Sequence, residues 1–272
     1  GSKYYRTSIE WSRIEPKKDE WSKEEITHYR NLFRELMAQG IEPVVCFDHF
    51  TLPQWLAEID GWENPDAPKY FARFVEKIAR EIGKPLGIRM WLTMNEPTVP
   101  IIEGYLKGGF PPGKKEDVNA AWMAFRNKAK AHNLAYKTIH RVCDTRNRHV
   151  QVGAALLTAS FVPASDSYLD TLGTHAIRFL FNHAFLEKTE EYHDFIGINY
   201  YRQYVLSFNM FSRIFVRFDK EEIDAGGLYR VLMQFRQYGK PIIVTENGID
   251  TADEKLRMVE RVIQGRGGPP DL

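Results

Sequence analysis

Short apolar runs alternate with helical patterns along most of this chain, and the alternation limits the folds that it can adopt. A continuous run such as Ile41–Phe47 suits a strand that is buried on both faces, as in a parallel sheet. Six strands are predicted: Lys3–Ile9, Ile41–Phe47, Ile88–Met94, Val150–Leu157, Asp194–Tyr201 and Pro241–Val244. Strict alternation of strands and helices predicts an α/β fold with right-handed crossovers. A doubly wound sheet and a barrel both fit this pattern.

Helix signals lie between these strands. Ser22 and Glu25 have the spacing of a capping box, and the helix behind them is predicted to stop at Gly40. The other predicted helices are Asp66–Gly83, Val118–Cys143, a stretch within Ser165–Lys188, Leu228–Tyr238 and Ala252–Gln264. The segment Asn209–Gly227 is the least regular and is predicted to be a long loop. No break in composition divides residues 1–272, which we therefore interpret as a single domain.

Composition excludes several classes of protein. The formal net charge is +1, which argues against an electrostatic nucleic-acid partner. No apolar run approaches the roughly 20 residues that span a bilayer, so no membrane partner is expected. The only cysteines, Cys46 and Cys143, indicate neither a disulfide framework nor a zinc site, which favours a cytoplasmic protein.

Polar side chains collect where the predicted strands end. Asp48 and His49 follow the second strand, and three further polar groups are Asn95-Glu96, Asn199-Tyr200-Tyr201 and Glu246-Asn247. The first strand contains Arg6. The carboxyl ends of parallel strands form the ligand site of α/β folds. Two carboxylates at such a mouth suit glycoside hydrolysis, with retention at a separation of about 5 Å and inversion at roughly 6.5–9.5 Å. The alternative is structural: Glu96 caps the next helix and Glu246 pairs with a base.

Seven segments resemble the family 1 glycoside hydrolases, the β-glucosidase and β-galactosidase group. They occur in the order of that family: YYRTSIEWSRIEP (4–16), FDHFTLPQWL (47–56), GWENP (61–65), WLTMNEP (91–97), GYLKGGFPPGKK (104–115), FIGINYY (195–201) and PIIVTENGI (241–249). The resemblance implies a (β/α)8 barrel, of which about six strands, the second to the seventh, are present. It also implies a retaining β-glycosidase that acts on β-linked glucosides or galactosides by double displacement.

The resemblance also implies roles for individual residues. Glu246 matches the family nucleophile and Glu96 the acid/base. Asn95 matches the contact to the sugar 2-hydroxyl, and His49 the contact to its 3-hydroxyl. Three further residues match positions around the nucleophile. Arg6 matches a cation that would keep the nucleophile ionised, and Tyr201 matches its hydrogen-bond donor. Asn199 lies at the same strand end as Tyr201. We expect the carboxyls of the two glutamates about 5 Å apart.

The family's first and eighth strands have no counterpart in this sequence. We therefore expect an open edge beside Tyr4–Ile9 and another beside Ile242–Thr245, either covered, wetted or engaged in self-association. Several sugar contacts of the family are missing with those strands. The alternative function is therefore a truncated or engineered fragment that retains at most sugar binding, with weak or no turnover.

The remaining candidates have ordinary structural explanations. His132 and His183 are predicted to be core histidines, and Trp62 and Trp122 packing residues. Asp48 could equally be a turn residue. His175 and His193 have no metal-ligand spacing with any pair of carboxylates, and neither a metal nor a cofactor is predicted. The expected ligand is a small β-glycoside.

Overall fold

The computed structural model describes residues 2–208, 216–222 and 224–248. The backbone divides into two compact units. The first holds residues 2–155 and 188–196, and the second holds 156–187 and the described residues from 197 onwards. That residues 1–272 form one domain stays a prediction.

Parallel strands organise the first unit. The strands are β1 (Tyr4–Ser8), β2 (Glu42–Asp48), β3 (Met90–Asn95) and the beginning of β4 (Gln151–Pro163). They lie in sequence order, and each of these pairs is parallel. Six of the seven residues of β2 are buried, as its apolar run predicts. The carboxyl ends of β1, β2 and β3 therefore lie at the same edge of the sheet.

Helices and tight helical turns connect these strands. The α-helices of the first unit are α1 (Trp11–Ile14), α2 (Lys23–Ala38), α3 (Gln54–Ala57), α4 (Ala67–Ile78), α5 (Lys84–Leu86), α6 (Val99–Ile101) and α7 (Val118–Cys143). Wider π-helical turns join α4 to α5 and follow α6, at Ala79–Gly83 and Ile102–Lys107. Helix α7 has the bounds that the sequence predicts.

The predicted capping box at the start of α2 forms only in part. The Ser22 hydroxyl accepts a hydrogen bond from the Glu25 amide, as expected of an N-cap. The Glu25 carboxylate pairs instead with Arg13 at 2.6 Å, and the Ser22 amide donates to the Ile14 carbonyl. A charged partner thus competes for the side chain that would have closed the box. Gly40 follows the helix at φ +73°, the left-handed turn that glycine favours.

Two long strands dominate the second unit. Strand β4 continues into it and neighbours β5 (Ile196–Phe208). Strand β6 (Val216–Glu222) pairs antiparallel with β5, and β7 (Ile242–Asn247) also pairs with β5. The prediction of a loop over Asn209–Gly227 is wrong for β6. Its sequence, VRFDKEE, has only two apolar positions, so the alternation that signals a strand is faint.

The helices of the second unit agree with the predicted segments. They are α8 (Tyr168–Arg178), α9 (Ala184–Thr189) and α10 (Ala225–Phe235), with α9 reaching the border with the first unit. The helix predicted at Ala252–Gln264 lies outside the described residues. None of the helices in the described part of the chain has the length and apolar character needed to cross a membrane.

Most of the residues predicted to pack in the core do so. Trp62, His132 and His183 are buried. Trp122 is the exception: it is 52% exposed, and its ring stacks on that of Phe125 at 5.6 Å. The prediction that Trp122 is a packing residue of the core is therefore wrong, because more than half of its surface faces solvent.

Candidate functional site

Asn95 is the centre of a polar cluster at the carboxyl edge of the first unit's sheet. Its Oδ1 accepts a hydrogen bond from Arg6 Nη2, and its Nδ2 lies 3.2 Å from His49 Nε2. Because the amide Nδ2 can only donate, His49 Nε2 accepts and the proton of the neutral ring lies on Nδ1. That Nδ1 lies 3.2 Å from Ser8 Oγ. The cluster thus fixes both the orientation and the tautomer of His49.

Glu96 lies directly after β3 and has an unusual backbone. Its φ is +44°, a left-handed conformation that is costly outside glycine and concentrates at functional sites. Its amide donates to the Ala155 carbonyl at 2.7 Å. The N-cap of the following helix is Thr98, so Glu96 does not occupy the capping position that the structural alternative gave it. Glu96 is buried, with 7% of its surface exposed.

A second polar cluster joins the strand ends of β5 and β7 in the second unit. The Tyr201 hydroxyl donates a hydrogen bond to Glu246 Oε2. Thr245 Oγ1 donates to Asn199 Oδ1 at 2.6 Å, and Asn247 Nδ2 donates to the Tyr200 carbonyl at 2.9 Å. The contact predicted between Tyr201 and Glu246 is therefore present. A hydrogen bond to the charged form keeps a carboxylate ionised.

The predicted site residues fall into these two clusters. Arg6, His49, Asn95 and Glu96 belong to the first unit, and Asn199, Tyr201 and Glu246 belong to the second. The predicted carboxyl separation of about 5 Å between Glu96 and Glu246 stays a prediction. The predicted contact between Arg6 and Glu246 also stays a prediction.

Sequence reasoning missed two of the hydroxyl groups in these clusters. Ser8 lies two residues after Arg6 on β1, and side chains at that spacing share one face of a strand. Thr245 directly precedes Glu246 on β7. The two-residue period could have identified Ser8. Thr245 begins the polar run at the end of this strand, but nothing in the sequence indicated that its hydroxyl would bind Asn199.

Asp48 is not the turn residue that the sequence allowed. It is the last residue of β2, and its Oδ2 forms a buried ion pair with Lys128 Nζ on α7 at 2.5 Å. The two residues lie 80 positions apart, so no local pattern could join them.

Cys46, close to this edge of the sheet, is not a candidate nucleophile. Burial raises the pKa of its thiol to about 12, so the reactive thiolate is absent at neutral pH. Within the ranges that the structure describes, no three His, Cys, Asp or Glu side chains are grouped so that they could hold a metal ion.

Comparison with known proteins identifies the family of the chain. The sequence profile of Glycosyl hydrolase family 1 matches residues 1–192. Beta-glucosidase A of Acetivibrio thermocellus is 29% identical over 93% of this chain and 65% of its own length. Beta-glucosidase A of Thermotoga maritima is 28% identical over 91% of this chain and 63% of its own length. The chain thus spans a little under two thirds of the length of these curated relatives.

Solved structures agree with the sequence relatives. The beta-glycosidase from Pyrococcus horikoshii superposes with a TM-score of 0.84 and 27% identity, covering 97% of this chain and 69% of that one. A Thermotoga maritima family 1 glycoside hydrolase, solved with a cyclophellitol analogue, gives a TM-score of 0.85 at 25% identity. The predicted fold class, α/β with about six strands of a (β/α)8 barrel, is confirmed. The match to the family profile, which covers most of the chain, together with these structural neighbours, establishes that the chain belongs to glycosyl hydrolase family 1.

Proposed function

We propose that this chain is a retaining β-glycosidase that hydrolyses β-linked glucosides or galactosides. The observation that carries the proposal is the hydrogen bond from the Tyr201 hydroxyl to Glu246, in a chain of glycosyl hydrolase family 1. It gives one of the two candidate carboxyls a donor that stabilises its ionised form. The second candidate carboxyl is that of Glu96, which is buried directly after β3 and is suited to carry a proton.

The proposed reaction has two displacements. In the first, a carboxylate oxygen of Glu246 attacks the anomeric carbon while the Glu96 carboxylic acid gives its proton to the glycosidic oxygen. The bond between that oxygen and the anomeric carbon breaks, and an alcohol leaves a covalent glycosyl-enzyme. In the second, the Glu96 carboxylate takes a proton from water, whose oxygen attacks the same carbon and releases Glu246. Two inversions retain the β configuration.

The other site residues would bind the sugar or orient its partners. We assign Asn95 to the sugar 2-hydroxyl and His49 to the 3-hydroxyl, because the family places these residue types there. Because Nδ1 of His49 carries the proton, Nε2 can only accept a hydrogen bond. A sugar hydroxyl that replaced the Asn95 amide at Nε2 would therefore donate its hydrogen bond to His49. Arg6 donates to the Asn95 amide oxygen, and we assign it the role of the cation that keeps the nucleophile ionised. We assign Asn199, which accepts a hydrogen bond from Thr245, to the support of the β5 end.

Hydrolysis of 4-nitrophenyl β-D-glucoside and β-D-galactoside tests the proposal. Glu246→Ala should abolish turnover, whereas Glu58→Ala, which removes an exposed glutamate of the first unit, should leave it unchanged.

Azide added to Glu246→Ala should restore product as the α-glycosyl azide. Azide added to Glu96→Ala should give the β-azide. Proton NMR of the wild-type reaction should show the β-anomer of the sugar first. An α-anomer as the first product would exclude the retaining mechanism.

The second candidate function is sugar binding with weak or no turnover. It rests on the sugar contacts of the family that have no counterpart within residues 1–272. Binding energy from sugar hydroxyls remote from the reacting carbon is used to reach the transition state. Calorimetric binding of deoxynojirimycin without hydrolysis of either substrate would support this function and exclude the first.

We also propose a reducing, cytoplasmic setting and self-association through a strand edge. Both cysteines are free and buried, which suits a reducing compartment. Strand β1 ends the strand order in the described part of the chain, and its Tyr4 and Tyr5 are 58% and 50% exposed. An exposed edge strand can template pairing with another chain. Sedimentation velocity should show a dimer that Tyr5→Lys weakens, and a monomer at all concentrations would refute this association.

A further inference from the structure

Strand β3 carries one residue more than β4 just before Glu96. Leu92 pairs with Gly153 and Asn95 pairs with Ala155, so three steps along β3 oppose two steps along β4. A β-bulge of this kind bends a strand and re-aims the side chains that follow it. The residues that follow here are Asn95, the centre of the first polar cluster, and Glu96.

The extra residue is held by a buried histidine. Thr93 lies within the bulge, and its Oγ1 is 2.6 Å from Nδ1 of His132 on α7. Both side chains are fully buried. The Gly153 carbonyl, at 3.4 Å from Thr93 Oγ1, is a much longer alternative acceptor. His132 is therefore the principal partner of the hydroxyl.

The contacts of His132 determine which group is the donor in its hydrogen bond with Thr93. Its Nε2 lies 2.8 Å from the Tyr192 carbonyl oxygen, which can only accept, so Nε2 carries the proton. In the neutral ring Nδ1 is then an acceptor, and the Thr93 hydroxyl donates to it. Burial lowers the pKa of His132 to about 4, in keeping with a neutral ring at neutral pH.

The imidazole is also fixed from its face. The ring of His193 stacks on it, with centroids 4.3 Å apart and planes inclined by 27°. His193 Nε2 in turn lies 2.9 Å from Thr189 Oγ1. A ring held at both nitrogens and on one face has little freedom, so it can act as a rigid support for the bulge.

Glu96 lies three residues beyond Thr93, and its backbone requires such a support. A left-handed φ of +44° persists only where the surrounding structure holds it in place. The Glu96 amide donates to the carbonyl of Ala155, the β4 residue that pairs with Asn95 just after the bulge. A bulge that relaxed would let Glu96 leave this conformation and move its carboxyl.

We propose that His132, acting through the Thr93 hydroxyl, is a positioning residue that holds the β3 bulge and thereby sets the place of Glu96. The consequence for catalysis rests on the proposed function of Glu96. The consequence for the backbone does not, and it can be measured without turnover.

The experiment compares amide exchange and histidine NMR signals in Thr93→Val, Thr93→Ser and His132→Gln. Valine has the shape of threonine without the hydroxyl, whereas serine keeps the hydroxyl. Thr138→Val, which removes the hydroxyl of a buried threonine on α7, is the matched control for loss of stability. His132→Gln identifies the His132 ring signal and provides a second test if the valine variant does not fold.

In the wild type, His132 should show a protonated Nε2 and an unprotonated Nδ1. In Thr93→Val the Glu96 amide should exchange roughly three- to tenfold faster relative to that of Val45 on β2, as loss of one buried hydrogen bond predicts. Thr93→Ser should restore the slow exchange, and Thr138→Val should alter both amides alike. If the Glu96 amide follows Val45 in every variant, or if Nδ1 carries the proton, the proposal is wrong.

Kinetics separate this inference from the proposed function. If the wild type hydrolyses a β-glucoside, Thr93→Val should lower kcat by about tenfold and leave KM nearly unchanged, because misplacing a proton donor affects the transition state most. A rise in KM alone would overturn the link to Glu96. If the wild type does not hydrolyse the substrate, the proposed function fails, and the exchange measurement still decides the role of His132.

Discussion

Lys128 of α7 and Asp48 of β2 form an ion pair inside the first unit, with Nζ 2.5 Å from Oδ2 and side chains only 1% and 3% exposed. The ammonium also lies 4.4 Å from the centre of the Trp62 ring, a cation–π contact. Because Asp48 ends β2 and precedes His49, the pair anchors the strand end that presents this histidine.

Lys128→Met should cost roughly 3–5 kcal/mol in the free energy of unfolding, because it leaves the Asp48 carboxylate buried without its cation. The double variant Lys128→Met with Asp48→Leu should recover most of that loss, since neither charge remains. Urea titration measures both. Lys130→Met, at an exposed position two residues further along α7, is the control and should be nearly neutral. Equal losses in the single and double variants would contradict this account.

Tyr201→Phe should weaken hydrolysis without unfolding the chain. A hydrogen bond to a charged group contributes about 1.5–3 kcal/mol, which corresponds to a roughly ten- to hundredfold lower kcat. Formation of the glycosyl-enzyme from a 2-fluoro sugar should slow by a similar factor. Tyr204→Phe, on the same strand, is the matched control. Unchanged trapping in Tyr201→Phe would show that the contact with Glu246 has no catalytic effect.

His140 links the end of α7 to two carboxylates. Its Nδ1 lies 2.9 Å from Asp144 Oδ2, and its Nε2 lies 2.9 Å from Asp194 Oδ2. Burial alone would lower the pKa of His140, but the hydrogen bonds to Asp194 and Asp144 outweigh it and raise the pKa above its ordinary value. The same bonds, with backbone amides, lower the pKa values of both aspartates despite their burial. Tyr136 and His149 also contact these carboxylates.

The stabilisation from this cluster should therefore depend on pH. A raised histidine pKa stabilises the fold fully below the unfolded value of about 6.5, and this contribution is lost as pH rises through the folded pKa. The lowered aspartate pKa values stabilise above about 4 and are lost as pH falls. The unfolding free energy of the wild type minus that of His140→Gln should thus be largest near pH 5 and shrink towards pH 9. His132, with its lowered pKa, acts in the opposite direction in both proteins and cancels. A difference that grows above pH 7 would contradict the assignment.

The sequence predicted those features whose signals are local or specific to the family. The bounds of α7, the buried strand β2 and the residues Asn95 and Glu96 follow from periodicity and from the TMNEP segment. The Tyr201–Glu246 contact was predicted because both residues lie in recognised segments.

Features that depend on long-range pairing could not be predicted. Strand β6 is defined by its backbone pairing with β5 and has a weak apolar pattern of its own. The extra residue in β3 is visible only against the register of β4, and its partner His132 is 39 residues away from Thr93. Tertiary context of this kind overrides local propensity.

Gly153, opposite the β3 bulge, should not tolerate a side chain. A methyl group built there would lie 2.4 Å from the Phe195 carbonyl oxygen, a backbone atom that cannot turn aside. Overpacking of this kind typically costs about 1–3 kcal/mol and sometimes more. Gly153→Ala should therefore lower the free energy of unfolding by at least that amount. The Asp194 amide, which donates to the Val152 carbonyl at 2.8 Å, should lose protection from exchange first.

Gly40→Ala is the comparison, because its methyl group would meet nothing within 4 Å. Only the strain of an alanine in the left-handed conformation, about 1–2 kcal/mol, would oppose this substitution. If Gly153→Ala is as stable as the wild type within about 0.5 kcal/mol and the Asp194 amide keeps its protection, the close approach of Gly153 to the Phe195 carbonyl is wrong.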